Sequence, residues 1–344
     1  MAVQDHSVVR PTLMSREVAE SPAVVERQLR ANQAAIAALG ATLRRAPPAV
    51  VVTCARGSSD HAATYAKYLI ETLLGVPVAL AAPSVSSIYA SPVQADRTLL
   101  LAISQSGGSP DLLTTVEAHR AAGALVVALV NDPDSPLAQA ADILLPLHAG
   151  TELAVAATKS CIAAMAALVA IVVAWSGDED IGAALTTLPQ MLREALTLDW
   201  SAASNALRPA DRMFVLGRGY SFGIAQEAAL KLKETCAIQA EPFSSAEVRH
   251  GPMRIVDEGF SVLAFATSDE AGADVAATAR EMSQHGAVTL IAGEGGDLPI
   301  VSGHSALQPI AMLASFYRMA EQLSLSLGMD PDAPPGLAKV TRTR

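Results

Sequence analysis

Ser104-Gln105-Ser106-Gly107-Gly108-Ser109-Pro110-Asp111 packs three hydroxyls and two glycines into eight positions. It follows an apolar run, Leu99–Ile103, that reads as a strand, and it precedes a helical stretch. Backbone N–H groups and a helix dipole at such a place favour an anion, and hydroxyls complete a cradle for a phosphate. Pro110 in the first helical turn costs no hydrogen bond. The same residues also fit a plain capped turn with Ser109 as N-cap. No lysine follows as in a Walker loop, which argues against a nucleoside triphosphate.

Gly57-Ser58-Ser59 ends another strand-like run and is a weaker version of the same signal. Gly217-Arg218-Gly219-Tyr220-Ser221-Phe222-Gly223 is spaced G-x-G-x-x-x-G, with no acidic residue placed to hold a ribose, so a nicotinamide cofactor is not expected. Glu227, Lys231 and Glu234 fall at i, i+4 and i+7 of one helical stretch and share a face. They suit a solvated salt-bridge ladder, worth about 0.3–0.5 kcal/mol per pair, or a carboxylate poised for proton transfer beside an ammonium; the spacing by itself favours the ladder. His250, in Ser245-Ala246-Glu247-Val248-Arg249-His250-Gly251-Pro252, ends a helix, either as an ordinary C-cap or as a group free to titrate near neutral pH. Lys339, in a Pro-rich terminal stretch, reads by itself as an exposed tail lysine.

The elements that must hold these residues are legible as short apolar runs alternating with helical stretches. Ala49–Cys54, Leu99–Ile103, Leu125–Val130 and Ile143–Pro146 read as strands. Alternation of this kind predicts a doubly wound, mainly parallel sheet covered by helices on both faces. Residues 1–20 read as a loose polar arm. From Ser21 (N-cap) and Pro22 (first helical position) the pattern becomes helical, with Val25, Leu29, Ile36 and Leu39 on one stripe, Asn32 interrupting it and Gly40 a stop or kink. Val51–Gly57 is echoed by Met213–Gly219 and Leu100–Ile103 by Val262–Phe265, both 162 positions on. Gly123–Val127 is echoed by Gly286–Leu290 at 163, and the Pro83-Ser84 region by Pro242–Ser245. The shared order predicts two similar units, 35–195 with a helical connector and 200–330, after an arm and helix start at 1–34 and before a tail at 331–344 that carries Lys339.

Composition narrows the functional classes. Of 344 residues, 51% are hydrophobic and 17% charged, which excludes a disordered chain. A net charge of −10 argues against a nucleic-acid partner, which needs a basic face. The three cysteines, Cys54, Cys161 and Cys236, match no zinc or disulfide pattern, so reduced, buried thiols and a cytoplasmic location are expected. The first twenty residues hold no signal core. The longest apolar run, Cys161–Trp175, is short of the roughly 20 residues that span a bilayer, so a buried helix rather than a membrane span is expected.

Taken together, VVTCARGSSDHAATYAKYL, LAISQSGGSPD, AGTELAVAATKS, GRGYSFGIAQEAALKLKE, SAEVRHGP and GLAKV resemble the tandem sugar isomerase (SIS) domain family, over about residues 14–340. That family includes the isomerase half of glutamine–fructose-6-phosphate aminotransferase and the stand-alone SIS-type glucosamine-6-phosphate deaminases. The resemblance implies an α/β protein of two flavodoxin-like three-layer SIS domains. The family's S-Q-S-G-E-T loop corresponds to Ser104–Ser109, with Gly108 in place of glutamate. Its G-T-S corresponds to Gly57-Ser58-Ser59, placing Ser59 near the phosphate, and its A-S-T-K to Ala156-Ala157-Thr158-Lys159, with one hydroxyl lost.

The resemblance assigns phosphate and sugar binding to Ser59, Ser104, Gln105, Ser106 and Ser109, with Val155 and Ala338 touching substrate through their backbones. It assigns the isomerisation base to Glu234, its partner to Lys231, ring opening to a His250 supplied by the neighbouring subunit of a homodimer, and the carbonyl contact to Lys339. No metal or organic cofactor is implied. The chain reaches the SIS region within about 20 residues of Met1-Ala2-Val3, so no glutaminase domain is expected. The implied activity is therefore an isomerising deaminase that releases ammonia and fructose 6-phosphate from glucosamine 6-phosphate. A fructosamine-6-phosphate deglycase, a galactosamine-6-phosphate isomerase/deaminase, and a non-catalytic sugar-phosphate sensor are the alternatives. The sensor is disfavoured by the complete set of four reactive groups and by the absence of a preceding helix-turn-helix segment.

Overall fold

The computed structural model describes residues 11–339. Its first unit places β1 (Val50–Cys54), β2 (Val78–Leu80), β3 (Thr98–Ser104), β4 (Leu125–Val130) and β5 (Ile143–Pro146) in one parallel sheet, ordered β2-β1-β3-β4-β5. The second places β6 (Arg212–Gly217), β7 (Gln239–Ser244), β8 (Ser261–Phe265) and β9 (Val288–Ala292) in another, ordered β7-β6-β8-β9. Both are doubly wound, as expected. The whole of β3 is buried, which is why it reads as a continuous apolar run.

The repeat holds at the level of strand register. Val51 pairs with Val78 and Leu99; 162 positions later Met213 pairs with Ala240 and Ser261. Leu99 opposes Leu125, and Ser261 opposes Val288, so the offset grows by one between the third and fourth strands. Pro83 opens a short helix beyond β2, whereas Pro242 lies within the edge strand β7.

The helices are α1 (Leu13–Ala19), α2 (Ser21–Arg45), α3 (Ser58–Leu74), α4 (Pro83–Ser87), α5 (Pro110–Ala121), α6 (Pro136–Ala140), α7 (Lys159–Ser176), α8 (Glu179–Ala195), α9 (Ser201–Leu207), α10 (Phe222–Cys236), α11 (Glu270–Gln284) and α12 (Gln308–Ser326). The expected loose arm is thus helical from Leu13, with Met14 and Val18 buried; residues 1–10 lie outside the described residues. The expected break at 34/35 falls inside α2. Gly40 is neither stop nor kink: it lies in the body of α2, where an added Cβ would collide with the Ala174 backbone of α7. Glu20, not Ser21, is the N-cap. The Asn32 that interrupts the α2 stripe donates from Nδ2 to the Pro146 carbonyl at 2.8 Å, a polar tie between helix and sheet.

The alanine-rich α7 is the centre of the first unit, packed against α2 and α3 and buried along most of its length. It is long and apolar enough to cross a membrane, but its side chains are occupied by the protein interior. A second packed pair joins the units: α3 of the first lies against α10 of the second. The Tyr65 hydroxyl of α3 donates to the Ala306 carbonyl at 2.5 Å across that junction. All three cysteines are buried, with free thiols.

Candidate active site

A cavity of about 360 Å³ opens at the carboxyl ends of β1 and β3, the position where doubly wound sheets take ligands. Its floor is the loop predicted to hold a phosphate. Gly107 has φ +64°, and a Cβ there would run into the side chains of Ser135 and Val130, so only glycine permits the turn. The Gly107 N–H donates to Ser104 Oγ at 2.9 Å and fixes the loop's start. Ser109 is the N-cap of α5 and Pro110 its first residue, as expected, but the Ser109 hydroxyl makes no capping bond. Ser59, Ser104, Gln105, Ser106 and Ser109 all line the cavity. Hydroxyls around an open helix start suit a phosphate.

The opposite wall comes from the second unit, through α10. Lys231 and Glu234 both line the cavity. The expected solvated ladder is not what forms. The Glu227 and Lys231 side chains are each 1% exposed and the Glu234 side chain 21%, because α10 turns this face onto α3 and α12. Lys231 Nζ donates to Glu234 Oε2 at 2.5 Å and lies 3.4 Å from Glu227 Oε1. Glu227 accepts from the Tyr317 hydroxyl at 2.9 Å and pairs with His61 Nδ1 at 2.8 Å. Burial works to raise the Glu227 carboxyl, but the Lys231 charge, His61 and Tyr317 together bring it below its ordinary value. Burial works to lower Lys231, but its two carboxylates hold it above the ordinary lysine value, so the ammonium stays charged. The result is a relay, His61–Glu227–Lys231–Glu234, whose last carboxylate alone reaches the cavity.

The third side is the tail. Leu337, Ala338 and Lys339 line the cavity, so Lys339 is not a free tail lysine. Its Nζ donates to the Ala154 carbonyl at 2.7 Å and to Glu152 Oε2 at 3.2 Å. The buried Glu152 also accepts from Thr158 N–H, Ser160 N–H and Ser160 Oγ, which orders the loop before α7. Val155, on that loop, lines the cavity and donates its N–H to the Asp332 carbonyl at 3.0 Å. Asp332 in turn accepts from the Leu13 and Met14 N–H groups at 2.7 and 2.8 Å, capping α1.

His250 stands apart. It terminates a short 3-10 turn, Glu247–Arg249, is exposed, and does not line the cavity of its own chain. Ten of the eleven residues singled out in the sequence therefore converge on one cavity, and His250 does not.

Sequence reasoning passed over Arg56, Glu152, His61 and Tyr317. Glu152 and His61 lie within quoted motifs, and their value shows only once the chain is folded. Cys161 also lines the cavity, but burial pushes its thiol well above the ordinary range, which removes it as a nucleophile. Among the described residues no cluster of His, Cys, Asp and Glu is arranged to hold a metal ion.

Comparison with known proteins agrees with this geometry. The SIS domain pattern matches residues 47–174 and 206–302. The chain is 32% identical to the glutamine–fructose-6-phosphate aminotransferase (isomerizing) of Zymomonas mobilis, over 95% of its own length and 58% of that protein's. It thus spans about half to three-fifths of the length of the curated relatives it matches. Its structure superposes on a protein of Silicibacter pomeroyi provisionally named a phosphosugar isomerase, with a TM-score of 0.88 and 42% identity, covering 94% of this chain and all of that one. It also superposes on the C-terminal domain of glucosamine–fructose-6-phosphate aminotransferase from Francisella tularensis, with a TM-score of 0.83 and 26% identity, covering 97% of this chain and all of that one. With two doubly wound units in register, each matched by the same pattern, the chain belongs to the SIS domain family and carries that domain twice in tandem.

Proposed function

We propose that the protein is an isomerising deaminase of an amino-sugar 6-phosphate, converting glucosamine 6-phosphate and water to fructose 6-phosphate and ammonia. The observation that carries this reading is the shared cavity. A hydroxyl-lined helix start and a carboxylate held by a buried ammonium face one space of about 360 Å³, within the usual range of small-molecule sites and roomy enough for a hexose phosphate. The phosphate binds at Ser59 and Ser104–Ser109, and its binding energy positions the reacting carbons at the far wall.

His250 of a neighbouring subunit protonates the ring oxygen and opens the sugar, which makes a homodimer the working unit. Glu234 removes the C2 proton, leaving an enolamine across C1 and C2, and returns that proton to C1. The resulting C2 imine takes up water and releases ammonia, leaving the ketose. Proton transfer of this kind supplies about 10²–10⁴-fold. Lys231 keeps Glu234 ionised and stabilises charge that develops on oxygen. Lys339 exchanges Glu152 for the sugar's carbonyl oxygen, and the Val155 and Ala338 backbones line the sugar. We place this chemistry in the cytoplasm, where thiols such as the three here stay reduced.

The experiment is ammonia release, with ketose formation, from glucosamine, galactosamine and N-acetylglucosamine 6-phosphates and from fructosamine 6-phosphates. Ammonia and fructose 6-phosphate from glucosamine 6-phosphate support the deaminase. Ammonia from none of the amino sugars, with turnover of a fructosamine 6-phosphate, replaces it with a deglycase. Binding of these compounds without turnover of any leaves a sensor.

A further inference from the structure

Among the described residues the cavity takes three cations, and two are already committed: Lys231 lies between Glu227 and Glu234, and Lys339 lies against Glu152. The third is Arg56. It directly precedes Gly57-Ser58-Ser59 in sequence, and its Nε and Nη2 bond Asp111 Oδ2 at 3.1 and 2.6 Å, in the first turn of α5 beyond Ser109. The Arg56 side chain is 48% exposed and that of Asp111 only 1%. Arg56 therefore lines the cavity while Asp111, buried behind it, does not. A guanidinium is planar and offers donors on two edges, so it can hold one carboxylate and still address a second anion.

The internal repeat shows what is general about this pair. At 162 positions from Arg56 stands Arg218, at 163 from Asp111 stands Asp274, and they pair at 2.8 Å. The arginine–aspartate clamp is thus part of the scaffold of both units. Its surroundings are not repeated. Where the first unit has Ser104 and Ser106, the second has Thr267 and Asp269. Asp269 accepts from the Thr267 hydroxyl at 2.7 Å and caps α11 through the Gly272 N–H at 2.9 Å. A carboxylate already fills that helix start. Asp274 is further held by Ser245 and Arg249. Only in the first unit does the clamp arginine stand beside an open, hydroxyl-lined helix start.

We propose that Arg56 is the cation that recognises the substrate's phosphate: one edge of its guanidinium holds Asp111 and the other is presented to the anion cradled by Ser59 and Ser104–Ser109. The proposal rests on the phosphosugar reading of this cavity and adds a residue to it. The neutral cradle fixes where the anion sits, and Arg56 supplies the charge that distinguishes a phosphorylated sugar from a free one. A bidentate arginine–phosphate contact is stronger and more directional than an ammonium contact.

The test is calorimetric titration with glucitol 6-phosphate, an open-chain analogue, and with inorganic phosphate. R56Q leaves Asp111 charged and buried and risks the fold. The double variant R56Q/D111N removes both charges and leaves a polar, hydrogen-bonding side chain at each position; its melting transition is recorded alongside. Wild type binds glucitol 6-phosphate, the double variant melts cooperatively near the wild-type temperature, and its affinity is lower by roughly ten- to a hundredfold. R56K, which keeps the charge but not the fork, falls between the two. A cooperatively melting R56Q/D111N that binds as tightly as wild type overturns the role of Arg56 and leaves the phosphosugar reading intact. Wild type that binds neither compound overturns that reading, and this proposal with it.

Discussion

Lys231 Nζ lies 2.5 Å from Glu234 Oε2, the ammonium almost fully buried and the carboxylate at the cavity wall. The two are one turn apart on α10, and the pair is completed from behind by Glu227, His61 and Tyr317. Lys231 cannot leave, because no solvent is available to it. Glu234 keeps one side open to the cavity, where the proposed function puts the substrate. That asymmetry is what a proton shuttle requires: a fixed charge that keeps the base ionised, and a base with one free side.

Removing the fixed charge is expected to damage stability as well as rate. Lys231→Met leaves Glu227 buried with only His61 and Tyr317. Breaking a buried pair from one side costs roughly 3–5 kcal/mol, and urea unfolding of the variant should show a loss of that order. Glu234→Gln, at the partly exposed end, should unfold within about 1 kcal/mol of wild type. Equal stability losses in the two variants would contradict the picture of one buried and one accessible partner.

The pH dependence of stability follows from the same network. The Glu227 carboxyl is lowered on folding from its ordinary 4.5, against the pull of burial, chiefly by the Lys231 charge. A carboxyl lowered on folding contributes stability that is complete above the unfolded value and lost as pH falls through the folded one. Lys231 is raised from 10.5, so its contribution is complete below that value and lost as pH rises through the folded one. Urea unfolding across pH should therefore show a stability difference between wild type and Glu227→Gln that is flat from about 5 to 10 and shrinks outside that window. A difference that grows on acidification below 4.5 would contradict this.

The tail is placed by Asp332. Its carboxylate caps α1 and its carbonyl accepts from Val155, seven residues before Lys339. Asp332→Ala should cost about 1 kcal/mol of stability, as loss of a helix cap does. Because Lys339 is then less well held, kcat should fall several-fold while KM for the sugar phosphate changes little. A change confined to KM would show that the tail closes the site without positioning Lys339.

His250, exposed on its own chain, is expected to act on a partner's cavity. His250→Ala and Glu234→Gln chains, each inactive, should recover up to about a quarter of wild-type turnover when unfolded together, mixed and refolded, since half of the dimers then pair one of each and carry one intact site. No recovery from dimers shown to be mixed would place both residues in one chain's site.

The sheet order and the repeat were legible because the inner strands are buried on both faces, which leaves unbroken apolar runs such as Leu99–Ile103. β2 was not, because it is a three-residue edge strand with Ala79 and Leu80 exposed. α1 was missed because its seven residues bury little beyond Met14 and Val18, and, besides its local cap Thr12, its first N–H groups are satisfied by Asp332, more than 300 positions away. At the site, glycines and serines after a strand announced the cradle, since a turn of that kind is local chemistry. Spacing by itself favoured a solvated ladder over a buried relay, and only the resemblance singled out Glu234 and Lys231, because spacing shows which side chains share a face of α10 but not that α3 and α12 cover it. Arg56 lay within a quoted motif without showing its role, which depends on an aspartate 55 positions later.

The central claim is that Glu234 carries hydrogen between neighbouring carbons of a hexose phosphate. The direct measurement is proton NMR of glucosamine 6-phosphate incubated with the protein in deuterium oxide. Wild type should form fructose 6-phosphate with at most one deuterium, at C1, in proportion to the exchange of the Glu234 carboxyl with solvent before it returns the proton, and Glu234→Gln should form no ketose while still binding glucitol 6-phosphate with near wild-type affinity. A Glu234→Gln protein that forms the ketose at near wild-type rate would contradict the account.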